Sequence, residues 1–466
     1  MKSNLMSDIS PVLTRIDNQL PEALGRLFEL LRIQSISTDP AFKEDCRKAG
    51  SWLVDQLIEI GFEASLRDTD GHPMVVGHHD GPQGAPHLLF YGHYDVQPVD
   101  PLELWHQPPF EPVLKELEGG QKQIHARGAA DDKGQLMTFV EACRAWKQET
   151  GGLPCKITIL FEGEEESGSP SLVPFFEANG EELTCDLALV CDTGMWDIET
   201  PAVNIALRGM VTEDFVIRAA SRDLHSGHYG GAAANPIHIL SKILADLHDE
   251  SGRITLDGFY DDVEDVPENI RKQWDGLGFS ASDFLGEIGL SMPAGEANRS
   301  VLEQIWSRPT AEVNGIIGGY TGDGFKTVIA AEASAKVSFR LVSNMDPEKV
   351  HVAFVKHVES HLPEDCTVEF KHHEGSPAIQ LDHTLPQLNK AAAVLEEEWG
   401  KPAAMIAMGG SVPIVGEFKR MLGMDSLMVG FGLDNDCIHS PNEKYELSSF
   451  HKGTRSWARI LAALAE

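Results

Sequence analysis

Residues able to do chemistry recur in this chain at one kind of place, directly after an apolar run. The run LLFY at 88–91 leads to His93 and Asp95, which are two residues apart and so share one face of an extended strand. An imidazole beside a carboxylate can ligate a metal through one ring nitrogen while the other is held. A lone histidine at a strand end is more often a hydrogen-bonded structural residue, so this pair alone is a weak signal. The strand-like KITILFEG runs into Glu164, Glu165 and Glu166, followed by Ser167 and Gly168. Three adjacent acids repel one another unless cations or solvent compensate, and a solvated loop is the plain alternative. DLALVCD ends in Asp192, and the Gly-containing turn ARGAADDKG carries Asp131 and Asp132 into a helical pattern. His93, Asp95, Asp131, Glu165, Glu166 and Asp192 all fall at strand ends or in the loops just after them. Open α/β sheets place their ligand sites there.

Apolar spacing predicts amphipathic helices over 11–32 and 47–61, the second stopped by Gly61, then strands at 62–67, 73–78 and 88–92. The rhythm is α/β. Near residue 207 the character changes. EDFVIRAAS and VIAAEASAKVSFRLV read as strands, NPIHILSKILADLHDE and PEKVHVAFVKHVESHL as helices, and CTVEFKH as a further strand, together an inserted α+β sandwich. The stretch from about 253 to 325 reads as irregular, with GGYTGDG matching neither a phosphate loop nor a dinucleotide fingerprint. A helix from 384, the strand SLMVGFG, His439 in CIHSPNEK and a final helix from 447 return to the first domain. The expected division is 1–206 plus 384–466 for one domain and 207–383 for the other. The vicinal pairs His78/His79 and His372/His373 fit no motif and read as surface residues.

The chain has 466 residues, with 72 Asp plus Glu against 38 Lys plus Arg, for a formal net charge of −34. That balance opposes nucleic acid or an anionic membrane as a partner. The seven cysteines are scattered without a C-x-x-C, which indicates neither a disulfide framework nor a zinc knuckle and fits a reducing cytoplasm. No window is apolar enough to span a bilayer, and the amino terminus lacks a signal-like apolar core.

The ordered set GHYDVQP, ARGAADDKG, EGEEESGS, CD, LRG, DLHSG, KTVI, FRLV, GGS and HSPNEK resembles the superfamily of di-metal hydrolases that includes carnosinase-like dipeptidases, acetylornithine deacetylase, succinyl-diaminopimelate desuccinylase and glutamate carboxypeptidases. DLHSGHYGG, SFRLVSNM and HSPNEK are similar to the dipeptidase branch. One departure is ARG at 126–128, where relatives often have Gly before the Arg.

The resemblance implies a zinc-peptidase-like α/β/α catalytic domain with an inserted lid and dimerisation domain. His93 and Asp192 would bind one divalent metal, Glu166 and His439 a second, and Asp131 would bridge both. Zinc, manganese or cobalt would suit these ligands. Glu165 would be the general base acting on a metal-bridging hydroxide, and Asp95 would orient His93. Glu164 and Glu165 are an alternative acting pair, but alignment on EESGS favours Glu165 and Glu166. His225 would reach the partner active site of a homodimer to stabilise an oxyanion, whereas His228 reads as an ordinary surface histidine. Arg340 would anchor a substrate carboxylate, with a lid salt bridge as its alternative role, and Thr327 and Ser411 would contact substrate. A cis peptide is implied between Asp131 and Asp132. The activity implied is amide hydrolysis in dipeptides or short peptides; deacylation of N-acyl amino acids is the alternative, and a catalytically silent binding protein is a distant third.

Overall fold

The computed structural model describes residues 8–373, 375–410 and 412–466, and Ser411 lies outside the described residues. The chain divides into two compact units, one of residues 1–205, 381–406 and 414–466, the other of residues 206–380 and 407–413.

In the first unit a mixed sheet runs in the order Glu63–Arg67, Met74–His79, Lys156–Glu162, His87–His93, Leu187–Val190, Ser426–Met428, and on to the strand beginning at Ala202. His87–His93 lies parallel to both Lys156–Glu162 and Leu187–Val190. These three strands are buried almost throughout, as expected for parallel strands covered on both faces. Their carboxyl ends therefore open at the same edge of the sheet, and three candidate groups, His93, Glu165 and Asp192, follow them.

Helices Lys133–Thr150 and Leu447–Leu464 pack together over the sheet. Trp457 is fully buried, with its ring edge-on to Phe90 at 5.4 Å and Phe139 at 5.5 Å, and its indole N–H donates to Cys191 Sγ at 3.3 Å. The single helix expected over 11–32 is two, Ser10–Asn18 and Leu20–Leu31. Pro21 has no N–H to donate and its ring crowds the preceding turn, so the helix restarts there. Helix Lys43–Ile60 stops at Gly61, whose φ of 98° is left-handed.

The second unit is built on an antiparallel sheet in the order Thr310–Gly318, Glu332–Leu341, Gly209–Arg218, Thr367–His372. Alternate residues of Gly209–Arg218 and Glu332–Leu341 are buried, and helices Pro236–Ala245 and Pro347–Ser360 cover that apolar face around Phe215, Phe339 and Phe354. The stretch expected to be irregular contains three short helices, Glu268–Asp275, Ala281–Glu287 and Val301–Trp306, and the edge strand Thr310–Gly318.

Candidate metal centre

The strand His87–His93 delivers His93 fully buried, and its backbone N–H donates to Asp132 Oδ2 at 3.0 Å. Its Nδ1 faces the Asp95 carbonyl at 3.2 Å, leaving Nε2 to face Asp131 Oδ1 at 3.0 Å. The other oxygen of the same carboxylate, Asp131 Oδ2, faces His439 Nε2 at 3.0 Å, and that nitrogen is 3.1 Å from Glu166 Oε2. Asp131 thus presents one oxygen to each of two imidazoles. Ligand-type atoms of His93, Asp131 and Asp192 lie within 4.8 Å of one another, as do those of Asp131, Glu166 and His439. The Asp131–Asp132 peptide is cis. His439 sits at a φ of 60°, a left-handed conformation unusual for a side-chain-bearing residue and often found at functional sites.

The donor set suits divalent cations because it is short of positive charge. Burial pushes the Asp192 carboxyl up to about 7, with Asp131 and Glu166 adding repulsion and the two histidines opposing it. Burial likewise pushes Glu165 up to about 8, opposed by His93 and reinforced by Asp192, Glu166 and Asp95. Burial disfavours a charged ring at His93, yet hydrogen bonds to Asp131 and Asp95 hold the imidazole well above its ordinary value. The same bonds from Asp131 and Glu166 raise His439 to about 10. Positive charge placed among these groups would oppose the upward shifts of the carboxylates. Imidazole nitrogens and carboxylate oxygens in two clusters sharing one carboxylate are the donor types that borderline divalent metals prefer.

Asp95 does more than lie beside His93. Its Oδ1 accepts the Glu165 N–H at 3.2 Å and its Oδ2 the Glu166 N–H at 3.0 Å, so one buried carboxylate fixes the short turn that carries both acids. Glu164, the first of the run, is buried and points elsewhere. Its carboxylate accepts the backbone N–H groups of His72 at 2.9 Å and Ser171 at 3.3 Å. Gly71 makes room for it, since a Cβ there would fall 1.6 Å from Glu164 Oε1.

Two positioning residues were not singled out from the sequence. Gln97 donates its side-chain N–H to Glu166 Oε2 at 2.8 Å, and Glu443 braces the Asp131 turn. Each sits inside a motif already read, Gln97 in GHYDVQP and Glu443 in HSPNEK; position in those runs was the available signal. The expectation that His79 is a surface residue is incorrect: it is buried on the sheet, edge-on to Phe62 at 5.3 Å. Its neighbour His78 is half-buried, bonded to Thr158 and Glu182, while His373 is exposed.

His225, Thr327 and Arg340 belong to the second unit. His225 is exposed, its Nδ1 accepting the Gly227 N–H at 2.9 Å and its ring stacked on that of His228, which is also exposed. The Thr327 carbonyl accepts the Ser226 N–H at 3.0 Å, which ties this threonine to the turn after His225. Arg340 lines a cavity of about 510 Å³ with Arg208, Arg308 and Glu312. Burial, and then the neighbouring Arg340, lower Arg208 to about 10. Arg308 is neutralised by both oxygens of Glu296 at 2.9 Å, whereas among the described residues no carboxylate pairs with Arg340.

An open α/β sheet whose parallel strands lead to His93, Glu166 and Asp192, with Asp131 and His439 completing two His–carboxylate clusters, is a site of the kind that holds divalent metal ions. Residues 89–463 match the model of peptidase family M20/M25/M40, and the chain belongs to that family. It is therefore a metal-dependent peptidase that uses divalent metal ions. It is 28% identical over 478 residues to the Cys-Gly metallodipeptidase DUG1 of Saccharomyces cerevisiae, covering 98% of each chain. To the Beta-Ala-His dipeptidase of Homo sapiens it is 25% identical over 484 residues, covering 98% of this chain and 93% of the other. The solved structure of the Dug1p dipeptidase from Saccharomyces cerevisiae superposes with a TM-score of 0.77 at 27% identity, covering 98% of both chains.

Proposed function

We propose that this peptidase hydrolyses the amide bond of dipeptides and short peptides. The observation that carries the reading is the division of the Asp131 carboxylate between His93 and His439, with Glu165 on a turn held by Asp95. His93 and Asp192 would hold one cation, Glu166 and His439 the other, and Asp131 both. Zinc or manganese suits this set, with cobalt as a substitute. Two such cations supply Lewis acidity that polarises a carbonyl and acidifies water.

Glu165 accepts the proton of the attacking water and returns it to the leaving amine. Its backbone N–H is held by Asp95, which fixes the turn from which the carboxylate projects. Arg340, unpaired among the described residues, suits the planar carboxylate of a peptide terminus, and Thr327, Ser411 and His225 are proposed as further substrate contacts. The names of the relatives, two dipeptidases, support peptides over N-acyl amino acids.

A homodimer is supported by the edge strand Thr310–Gly318 and the loop after it, which expose Ile316, Ile317, Tyr320 and Phe325, the last 92% accessible. An apolar sheet edge left bare invites pairing with another chain. A cytoplasmic location is supported by the seven cysteines, all unpaired. No helix among the described residues is long and apolar enough to cross a membrane.

The test is hydrolysis of Cys-Gly and β-Ala-His by zinc- or manganese-reconstituted protein, beside the same dipeptides N-acetylated and a chelated control. Release of free amino acids from the unmodified dipeptides is expected. Removal of the acetyl group alone would overturn the reading.

A further inference from the structure

In the second unit two helices end at the same place. Pro236–Ala245 is capped by Asp246 and Pro347–Ser360 by His361, and one turn before that cap the second helix carries His357. A ligand-type atom of each of Asp246, His357 and His361 lies within 4.8 Å of the others. His361 Nδ1 faces the His357 carbonyl at 2.8 Å, so the N–H sits there and the lone pair of the neutral ring is on Nε2. That nitrogen faces Asp246 Oδ2 at 3.1 Å. Two acceptors then flank one ring, an arrangement that requires either a second ring proton or a cation between Nε2 and the carboxylate. His357 is held by its Nε2, 3.2 Å from the Ile243 carbonyl, and burial keeps its imidazole below the ordinary value, which favours the neutral, ligating form.

A simple imidazolium–carboxylate pair would account for His361 and Asp246. It does not account for the second imidazole, whose ring centroid is 4.7 Å from the first. Nor does it use the two helix carboxyl termini that meet here, where the negative end of each helix dipole favours a cation. Histidines at i and i+4 share one helix face and form a common two-point grip on a transition metal. We propose that Asp246, His357 and His361 form a third divalent-metal site, separate from the catalytic pair. It would bind a borderline ion such as Zn²⁺, fastening the end of one helix to the end of the other. Two nitrogens and one oxygen select against Mg²⁺ and Ca²⁺, which prefer oxygen-only shells. Half-exposed and three-coordinate from the protein, the ion would complete its shell with water.

The test is zinc content by elemental analysis of the full chain after equilibrium dialysis against Zn²⁺, for wild type, His361→Gln and Asp246→Asn. Each variant is also made in an Asp131→Ala background, so that failure at the catalytic centre shows separately. The expected result is one zinc ion fewer per chain in both variants than in their parent, in either background, with dipeptide hydrolysis retained in the two single variants. Zn²⁺ should also raise the unfolding temperature of the Asp131→Ala protein and leave its His361→Gln derivative unmoved. Equal zinc content in parent and variants would overturn the proposal, as would an anomalous zinc peak absent from these three residues in zinc-soaked crystals.

Discussion

Arg127 and Glu443 form a fully buried ion pair, Nη1 to Oε2 at 2.8 Å, across 316 positions of sequence. Glu443 also accepts the backbone N–H groups of Gly128 and Ala130 at 2.9 Å and of Asp131 at 3.1 Å. One side chain therefore shapes the turn that aims Asp131 at both histidines. Removing it leaves a buried guanidinium and three donors without their acceptor.

For Glu443→Ala the expected result is a loss of roughly 3–5 kcal/mol of stability. Metal affinity should fall about 10–100-fold, as for other residues that orient ligands. Chemical denaturation and metal titration of the same preparation check both. Unchanged metal affinity in a folded variant would show that the turn holds its shape without the glutamate.

Glu165→Gln and Glu166→Ala test the proposed roles of base and ligand separately. The first should keep its metal content while kcat falls about 10²–10⁴-fold, the range for loss of a general base. The second should lose metal. Elemental analysis giving the opposite pattern would exchange the two roles.

Arg340→Ala should raise KM for a dipeptide by about 10²-fold, the scale of one charge-assisted bidentate contact. A dipeptide amide, lacking the terminal carboxylate, should be nearly indifferent to the substitution. Equal losses for acid and amide would assign Arg340 a structural role.

Stability below neutrality should depend on His125. Half-burial, then Lys115 and Lys444, lower its imidazole to about 4, against 6.5 in the unfolded chain. The unfolded state therefore binds the proton first. The contribution is fully present above pH 6.5, is lost as pH falls from 6.5 to 4, and does not change further below that. Discounted for solvent screening at a half-exposed site, it is about 1–2 kcal/mol. Denaturant midpoints at pH 7 and pH 4.5 should differ by less in His125→Gln than in wild type. An identical difference would remove His125 from the account.

Trp457→Ala should cost about 3–5 kcal/mol, because the buried indole packs against Phe90, Phe139 and Phe431 and its removal leaves a cavity among them. Trp457→Phe should cost less, leaving Cys191 without its N–H donor. Thermal unfolding of the two variants ranks them.

The sheet and its strand-end acids could be read because parallel strands buried on both faces leave unbroken apolar runs, and a charge straight after such a run stands out. His87–His93, Lys156–Glu162 and Leu187–Val190 all carry that signature. His439 could not be reached that way: it follows no strand, lies in an irregular segment with a positive φ, and entered only through the likeness of HSPNEK to a family motif. The edge strand Thr310–Gly318 was invisible because its outer side is exposed and its burial does not alternate. The helices between 268 and 306 span at most eight residues, too few to establish a period. Buried His79 was misread because a histidine on a central strand is chemically indistinguishable, in sequence, from one at a surface.

Asp95 grips Glu165 with one oxygen and Glu166 with the other, so thermal displacement of that turn is shared by both acids. A common drift carries the proposed proton acceptor and the proposed metal ligand together and preserves the spacing between their backbones. Differential drift is what costs rate, on the order of 10²-fold for a misplacement of about 1 Å. The forked mount ties the two backbone positions to one another, so that motion of the turn relative to the strand need not change the spacing that the proposed reaction would sense.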